Sequence, residues 1–146
     1  ILWDHAIDPK VDGFIELKDS SKIKKVILCS GKIYFDLLDA REKLKKDDVI
    51  IFRVEQLYPF PAKALVNELK PYVKNANFFW CQEEPKNMGA WNTVRNYIQW
   101  SLDYIKAENK EVNYIGRKPG ASPASGYLKK HLAEQNEILE KVLGKF

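Results

Sequence analysis

Residue types and motifs that usually carry chemistry are scarce in this chain of 146 residues. It has two cysteines, Cys29 and Cys81, and two histidines, His5 and His131. No Cys-x-x-Cys pair occurs, and the histidines lack metal-ligand spacing, so zinc and thioredoxin-like chemistry are not expected. Each cysteine lies near the end of an apolar run. This position predicts two buried thiols and a reducing compartment.

Long apolar runs, arginine clusters and glycine-rich phosphate motifs are missing as well. No run approaches the roughly 20 residues that span a membrane, and residues 1–5 lack the basic region of a signal peptide. The chain also starts without a methionine, which is expected of a fragment or a processed chain. Only four of the 24 basic residues are arginines, and the lysines alternate with acidic residues. This pattern is typical of a solvated surface, so neither a membrane nor a nucleic acid is expected as a partner.

What the chain does contain is a regular alternation of strands and helices. Four runs predict strands: Lys25–Cys29 and Val49–Val54 are expected to be buried, a third strand is expected at 77–81 and a fourth, short one at 112–115. Helical spacing follows each of them: from Ile33 to Leu44, after Pro61, from about Met88 to Lys106, and after Ser122, which is expected to cap the last helix. Residues 1–21 read as irregular, with a short extended piece at 13–17. The order predicts an α/β fold in three layers, with helices on both faces of a mostly parallel sheet.

A possible phosphate site lies at the turn after the first long strand. Ser30, Gly31 and Lys32 form a small strand-to-helix turn whose backbone N–H groups and lysine could hold a phosphate. If the first two long strands are neighbours at a switch point, Arg53 and Gln56 would line the same crevice. The alternative is a turn with no ligand, since neither the Walker sequence nor Gly-x-Gly-x-x-Gly is present. The site therefore predicts either a regulatory nucleotide pocket or a stand-alone flavodoxin-like nucleotide-binding module.

Two adjacent carboxylates, Glu83 and Glu84, follow the third long strand and precede Pro85. Side chains of neighbouring strand residues point in opposite directions, so the pair could not both face one substrate. We therefore expect one carboxylate to cap the following helix or to lie at an interface, and we predict no catalytic residue. No Gly-x-Ser-x-Gly motif is present either.

The long helix carries a second stripe of aromatic residues, Tyr97, Trp100 and Tyr104, beside its apolar stripe. Such a helix is either buried between layers or exposed at a subunit or domain interface, where aromatic residues are favoured. Both interpretations remain open from the pattern alone.

Four blocks of sequence resemble the E1 component of 2-oxoglutarate dehydrogenase in the order that the family shows. They are residues 28–38, 53–61, 81–91 and 116–126. Family members usually have glutamine where this chain has Met88. The Gln82-Glu83-Glu84-Pro85 stretch disfavours the matching domain of a different 2-oxo-acid dehydrogenase.

The resemblance implies that the chain is the C-terminal domain of a longer enzyme, with a lead-in at 1–22 and a transketolase C-terminal-like domain at 23–146. In that fold one strand at the edge is antiparallel. The family decarboxylates 2-oxoglutarate with thiamine diphosphate and magnesium and passes the succinyl group to lipoamide on E2, the dihydrolipoyl succinyltransferase. The resemblance implies that both cofactors lie in preceding domains, with none bound here, and that subunits form homodimers. Some members bind acetyl-CoA or AMP. The expected location is the bacterial cytoplasm or the mitochondrial matrix.

Overall fold

The computed structural model describes residues 7–8, 19–122 and 126–145. Five strands form one sheet in the order β1-β3-β2-β4-β5. Their bounds are β1 Ile7–Asp8, β2 Lys25–Cys29, β3 Val49–Val54, β4 Asn77–Pro85 and β5 Val112–Arg117. β2, β3, β4 and β5 are parallel, whereas the short β1 pairs antiparallel with β3 at one edge. The mostly parallel sheet and its antiparallel edge strand are therefore confirmed.

Helices cover both faces of the sheet. Their bounds are α1 Ile33–Lys43, α2 Ala62–Leu69, α3 Trp91–Tyr104 and α4 Leu128–Leu143. α1 packs with α4 on one face, and α2 packs with α3 on the other. Alternate residues of β2 feed the two apolar layers: Val26 and Leu28 pack with α2 and α3, and Ile27 and Cys29 with α1 and α4. Burial of each large apolar side chain contributes about 1.5–3 kcal/mol, so the β2 run stabilises both layers.

The third long strand is longer than its apolar run predicts. β4 continues beyond Cys81 to Pro85, because its pairing with β5 resumes after an irregularity and ends with Pro85 opposite Arg117. The two carboxylates therefore lie inside the strand. α3 also begins later than Met88, since Gly89 has a φ of +65° and cannot continue a right-handed helix.

The last helix begins at Leu128, so the expected cap at Ser122 is wrong. Asn87 holds the backbone of Gly120 in the loop that follows β5. Its side chain donates to the Gly120 carbonyl at 2.9 Å and accepts from the Gly120 N–H at 3.0 Å. Pro123 and the extended piece expected at 13–17 lie outside the described residues. Within the irregular lead-in, Ile7–Asp8 forms a strand.

Candidate functional site

The crevice at the carboxyl ends of the strands lies between β2 and β4. The chain leaves β2 for α1 on one face and leaves β4 for α3 on the other, while the two strands are neighbours in the centre of the sheet. Such a topological switch point opens a crevice outside the strand ends. The first two long strands, β2 and β3, are neighbours as expected. The crevice, however, is on the other side of β2 from Arg53 and Gln56, and the residue that meets the Ser30–Lys32 turn across it is Glu83 of β4.

The lysine of that turn already has two acidic neighbours. Lys32 Nζ lies 3.0 Å from an Asp36 carboxylate oxygen and 3.7 Å from Glu83 Oε1, so the lysine bridges the crevice. The hydrogen bond to Asp36, and then the charge of Glu83, raise the pKa of Lys32. Gly31 has a φ of +77°, which explains the glycine at this turn. A phosphate would have to compete with both carboxylates for this cation.

The other two candidate nucleotide residues also have partners. Arg53 forms an ion pair with Glu55, and its guanidinium carbon lies 5.0 Å from the ring centroid of Tyr34. Gln56 Nε2 donates to the Pro59 carbonyl at 2.8 Å. The regulatory nucleotide pocket of Ser30, Gly31, Lys32, Arg53 and Gln56 stays a prediction of the sequence.

Gln82 is a buried hydrogen-bonding centre that the sequence patterns do not reveal. Only 3% of the residue is exposed, and its Oε1 accepts from Trp80 Nε1 at 2.9 Å and from the Trp91 N–H at 3.0 Å. Its Nε2 donates to three carbonyl oxygens, those of Glu84 at 3.2 Å, Pro85 at 3.2 Å and Met88 at 2.8 Å. Gln82 therefore shapes the turn between β4 and α3.

The hydrogen bond from the Trp91 N–H to Gln82 Oε1 also shows how α3 begins. The N-cap of α3 is Ala90, with no side-chain cap bond, and the first N–H of the helix donates to Gln82. Neither Glu83 nor Glu84 caps α3, so that part of the prediction is wrong. The only sequence signal for Gln82 is a polar residue directly after an apolar run, between two tryptophans.

Glu83 belongs to a polar cluster that joins both helices of one face to the sheet. We call it the Arg117 network; it comprises Lys32, Asp36, Glu83, Arg117, His131, Glu134 and Gln135. Arg117 Nε lies 2.9 Å from Glu134 Oε2, and its terminal nitrogens reach the Glu83 carbonyl and His131 Nδ1, the latter at 3.2 Å. Because a guanidinium only donates, His131 Nδ1 is the acceptor in this contact.

Gln135 completes the network across the crevice. Its Nε2 donates to Asp36 at 3.0 Å and to Glu83 Oε1 at 3.2 Å, while its Oε1 accepts from Arg117 at 3.3 Å. Glu84 is exposed and takes no part, which agrees with the expected opposite directions of the two carboxylates. The arrangement is a set of mutually paired charges and hydrogen-bonding groups that links α1, β4, β5 and α4.

The aromatic stripe of α3 lies on its outer side. Tyr97, Trp100 and Tyr104 are 44%, 53% and 64% exposed, so the helix is not buried on this side within the domain. Tyr97 stacks on Phe60 with ring centroids 5.0 Å apart, and Trp100 stacks on Tyr104 at 5.2 Å. An interface at Tyr97, Trp100 and Tyr104, and at Glu83 and Glu84, stays a prediction.

The two cysteines are free and buried, as predicted. They are register partners on β2 and β4. Burial raises the pKa of Cys29 well above its usual value, and burial with the nearby Glu83 charge raises the pKa of Cys81 to about 12.

Among the residues that the structure describes, no group of three His, Cys, Asp or Glu side chains could hold a metal ion. No helix in the same ranges has the length and apolar character needed to cross a membrane.

We expect both thiols to resist alkylation in the folded protein. With a pKa of about 12, Cys81 would be a thiolate in only about one molecule in ten thousand at pH 8. Iodoacetamide labelling at pH 8, followed by peptide mass spectrometry, should be at least about 100-fold slower than in 8 M urea. Labelling of Cys81 at the same rate with and without urea would contradict the burial that raises its pKa.

Comparison with known proteins shows which family this chain belongs to. The sequence profile of a family described as 2-oxoglutarate dehydrogenase C-terminal matches residues 3–143. The 2-oxoglutarate dehydrogenase E1 components of Brucella anthropi and Brucella ovis are each 53% identical to this chain over 144 residues. The aligned segment covers 99% of this chain but only 14% of each relative. The chain thus spans a small part of the length of the relatives that it matches.

Proposed function

Because this chain belongs to the 2-oxoglutarate dehydrogenase C-terminal family, we propose that it is the C-terminal domain of a 2-oxoglutarate dehydrogenase E1 component. The observation that carries the proposal is the 53% identity that extends over 99% of the chain. The whole enzyme would decarboxylate 2-oxoglutarate and transfer the succinyl group to lipoamide on the E2 dihydrolipoyl succinyltransferase. Its proposed location is the cytoplasm of a bacterium, as the named relatives are bacterial.

Thiamine diphosphate and magnesium would be bound outside this chain. Magnesium prefers carboxylate and phosphate oxygens that are free to coordinate it. At the switch-point crevice, Asp36 accepts from Lys32 and Gln135, Glu83 accepts from Gln135 and forms an ion pair with Lys32, and Glu134 pairs with Arg117. These carboxylates are committed to other partners, so the crevice does not fit a metal–diphosphate group.

The proposed work of the domain is structural. The exposed aromatic residues of α3, Tyr97, Trp100 and Tyr104, would contribute to the contact with a second E1 subunit, since aromatic residues are favoured at interfaces. Glu83 and Glu84 would lie at the contact with the preceding E1 domains. The Arg117 network would keep α1 and α4 in place on the sheet while these contacts form.

Activity measurements on two lengths of chain test the proposal. The full-length polypeptide, supplied with thiamine diphosphate and magnesium, should decarboxylate 2-oxoglutarate. Residues 1–146 alone should fold, as judged by circular dichroism and a cooperative melt, but should show no turnover. Pyruvate serves as the control substrate for a different 2-oxo-acid dehydrogenase. Turnover by the isolated chain, or a full-length enzyme that uses pyruvate and not 2-oxoglutarate, would refute the proposal.

A further inference from the structure

Lysines that alternate with acidic residues along the chain are brought together by the fold at one edge of the sheet. β2, β3 and β4 are parallel neighbours, so the connections that precede them, residues 19–24, 44–48 and 70–76, meet at the amino edge. These connections contain three aspartates and six lysines. We call the six lysines the amino-edge surface: Lys22, Lys24, Lys45, Lys46, Lys70 and Lys74.

Backbone contacts hold the three connections side by side. The Lys24 N–H donates to the Asp48 carbonyl at 2.8 Å, and the Asn77 N–H donates to the Lys24 carbonyl at 2.9 Å. The 3₁₀ turn Ser20–Lys22 packs against the 3₁₀ turn Lys70–Tyr72. Neighbouring strands are about 4.8 Å apart, so the lysines of all three connections start from a strip of backbone only about 10 Å wide.

The charge of this surface is not neutralised within the domain. In the ranges that the structure describes, the ion pairs include none of the six lysines. Five of them are exposed, and Lys46 is half-buried. The nearby carboxylate of Asp19 accepts instead from the N–H and the hydroxyl of Ser21, at 2.9 and 2.6 Å. Positive charge at this edge therefore faces solvent.

The cations of the opposite, carboxyl edge are arranged differently. Lys32, Arg53 and Arg117 each have a carboxylate partner within the domain. An acidic partner at that edge would have to compete with these ion pairs. At the amino-edge surface it would form new ion pairs without breaking old ones, and such complementary charges also speed the encounter.

Helix ends account for only part of the pattern. The carboxyl ends of α1 and α2 lie at the same edge, and a helix carboxyl end favours a nearby cation. This explanation covers Lys45, Lys46 and Lys70, which follow α1 and α2 closely. It does not cover Lys22 or Lys24. Lys22 ends a three-residue 3₁₀ turn and Lys24 directly precedes β2, so neither follows one of the described α-helices.

We propose that the amino-edge surface binds an acidic polypeptide segment of a partner protein. A polypeptide can space its carboxylates between the three aspartates of this edge, whereas the regular charges of a phosphate backbone would meet them. The three connections also contain no arginine, the residue whose planar fork suits phosphate best. This inference does not depend on the reaction that the whole enzyme catalyses.

The same connections offer little to a nucleic acid base or to a lipid bilayer. Their one aromatic residue, Tyr72, is half-buried and packs at an angle on Phe52, with ring centroids 6.0 Å apart. Its ring is therefore not open to a base, which single-stranded nucleic acids require for stacking. The exposed large apolar side chains of the described residues all lie outside these connections, so the surface has nothing to insert into a bilayer.

Binding of a defined acidic peptide to the full-length polypeptide tests the proposal. The probe is a fluorescein-labelled peptide of five Glu-Glu-Gly-Ser repeats, and the same peptide with glutamine at each glutamate is its uncharged control. The variant Lys22→Glu/Lys24→Glu reverses the two lysines that no helix end accounts for. Lys63→Glu/Lys129→Glu is the matched control. Both of its lysines are exposed, neither has an ion pair in the described ranges, and the net charge changes equally.

Fluorescence anisotropy at low salt should show saturable binding of the glutamate peptide to the parent. The Kd should rise at least about tenfold in Lys22→Glu/Lys24→Glu and less than about twofold in the control pair. High salt should weaken binding to the parent at least about tenfold, because it screens exposed charges. Lys70→Glu/Lys74→Glu gives the same readout if the first variant lacks the circular dichroism of the parent.

Four results would each overturn the proposal. They are no saturable binding by the parent, equal losses in the surface and control variants, equally tight binding of the glutamine peptide, and tighter binding of single-stranded DNA or phosphatidylserine vesicles through the same lysines. The first of these results would leave the lysines as residues that only solvate this edge and stabilise its helix ends.

Discussion

Gly116→Ala is expected to lower the free energy of unfolding by about 3 kcal/mol or more. A Cβ at position 116 would collide with the Tyr114 hydroxyl and would lie 2.6 Å from Tyr114 Cζ and 2.8 Å from the Gln82 carbonyl oxygen. The Tyr114 hydroxyl lies 2.9 Å from the Arg117 carbonyl oxygen and 3.1 Å from the Glu84 carbonyl oxygen, and it can donate a hydrogen bond to either. Movement of the ring away from a new Cβ would lose this hydrogen bond. The Gln82 carbonyl is a backbone atom of β4, so it can move only if the strand itself shifts.

Thermal unfolding checks this expectation. For a protein of this size, a loss of about 3 kcal/mol corresponds to a fall in Tm of roughly 6–12 °C. Gly120→Ala is the matched control, since the nearest atom to a Cβ there would be 3.6 Å away, which is an ordinary contact. We expect that control to change the free energy by less than about 0.5 kcal/mol. Equal effects of the two substitutions would show that the close approach at Gly116 is absent.

Gln82→Glu is expected to lower the free energy of unfolding by about 3–5 kcal/mol at neutral pH. The new side chain has the same shape, but a carboxylate oxygen would replace the Nε2 that donates to three carbonyls. The closest of them is the Met88 carbonyl, 2.8 Å away. The variant would therefore bury a charge against three acceptors. Urea unfolding, followed by the fluorescence of Trp80 and Trp91, measures the loss.

The defect of Gln82→Glu should depend on pH with a definite sign. Burial and the surrounding carbonyls would raise the pKa of the introduced carboxyl in the folded state above its unfolded value of about 4.3. The loss is then complete above the folded pKa and shrinks as the pH falls toward the unfolded value, where the protonated group can donate once. Gln56→Glu is the control, because Gln56 makes one exposed bond to the Pro59 carbonyl. A defect that does not change between pH 7 and pH 5 would contradict a buried, acceptor-lined position for Gln82.

Local sequence patterns predicted the bounds of the central strands β2 and β3, but not the end of β4 or the start of α4. The bounds of β2 and β3 agree with the apolar runs, because both strands are covered on both faces and are therefore apolar along nearly their whole length. β4 is longer than its run, because its last residues are polar and are held by pairing with β5. α4 begins at Leu128 and not after Ser122, and the side chain of Asn87, 33 residues before Gly120, holds the Gly120 backbone in the loop after β5.

In the candidate site, too, the sequence indicated single residues but not the contacts between them. The sequence pointed to Lys32 and Glu83 separately, but their contact, and the contact of Gln135 with an Asp36 that lies 99 residues earlier, depend on packing between distant elements. Gln82 was missed because one polar residue after an apolar run has no pattern of its own. Its five partners are brought together only when the β4–α3 turn closes.

By itself, the sequence determined the α/β class, the family and the buried state of both cysteines, since these depend on residue identity and on short-range periodicity. The tertiary structure alone decided that the crevice lies between β2 and β4 and that Lys32 bridges it to Glu83. It also decided that Tyr97, Trp100 and Tyr104 lie exposed on the outer side of α3. The physical reason is that periodicity assigns a residue to a face of its own helix or strand, whereas strand order and neighbouring helices determine which faces meet.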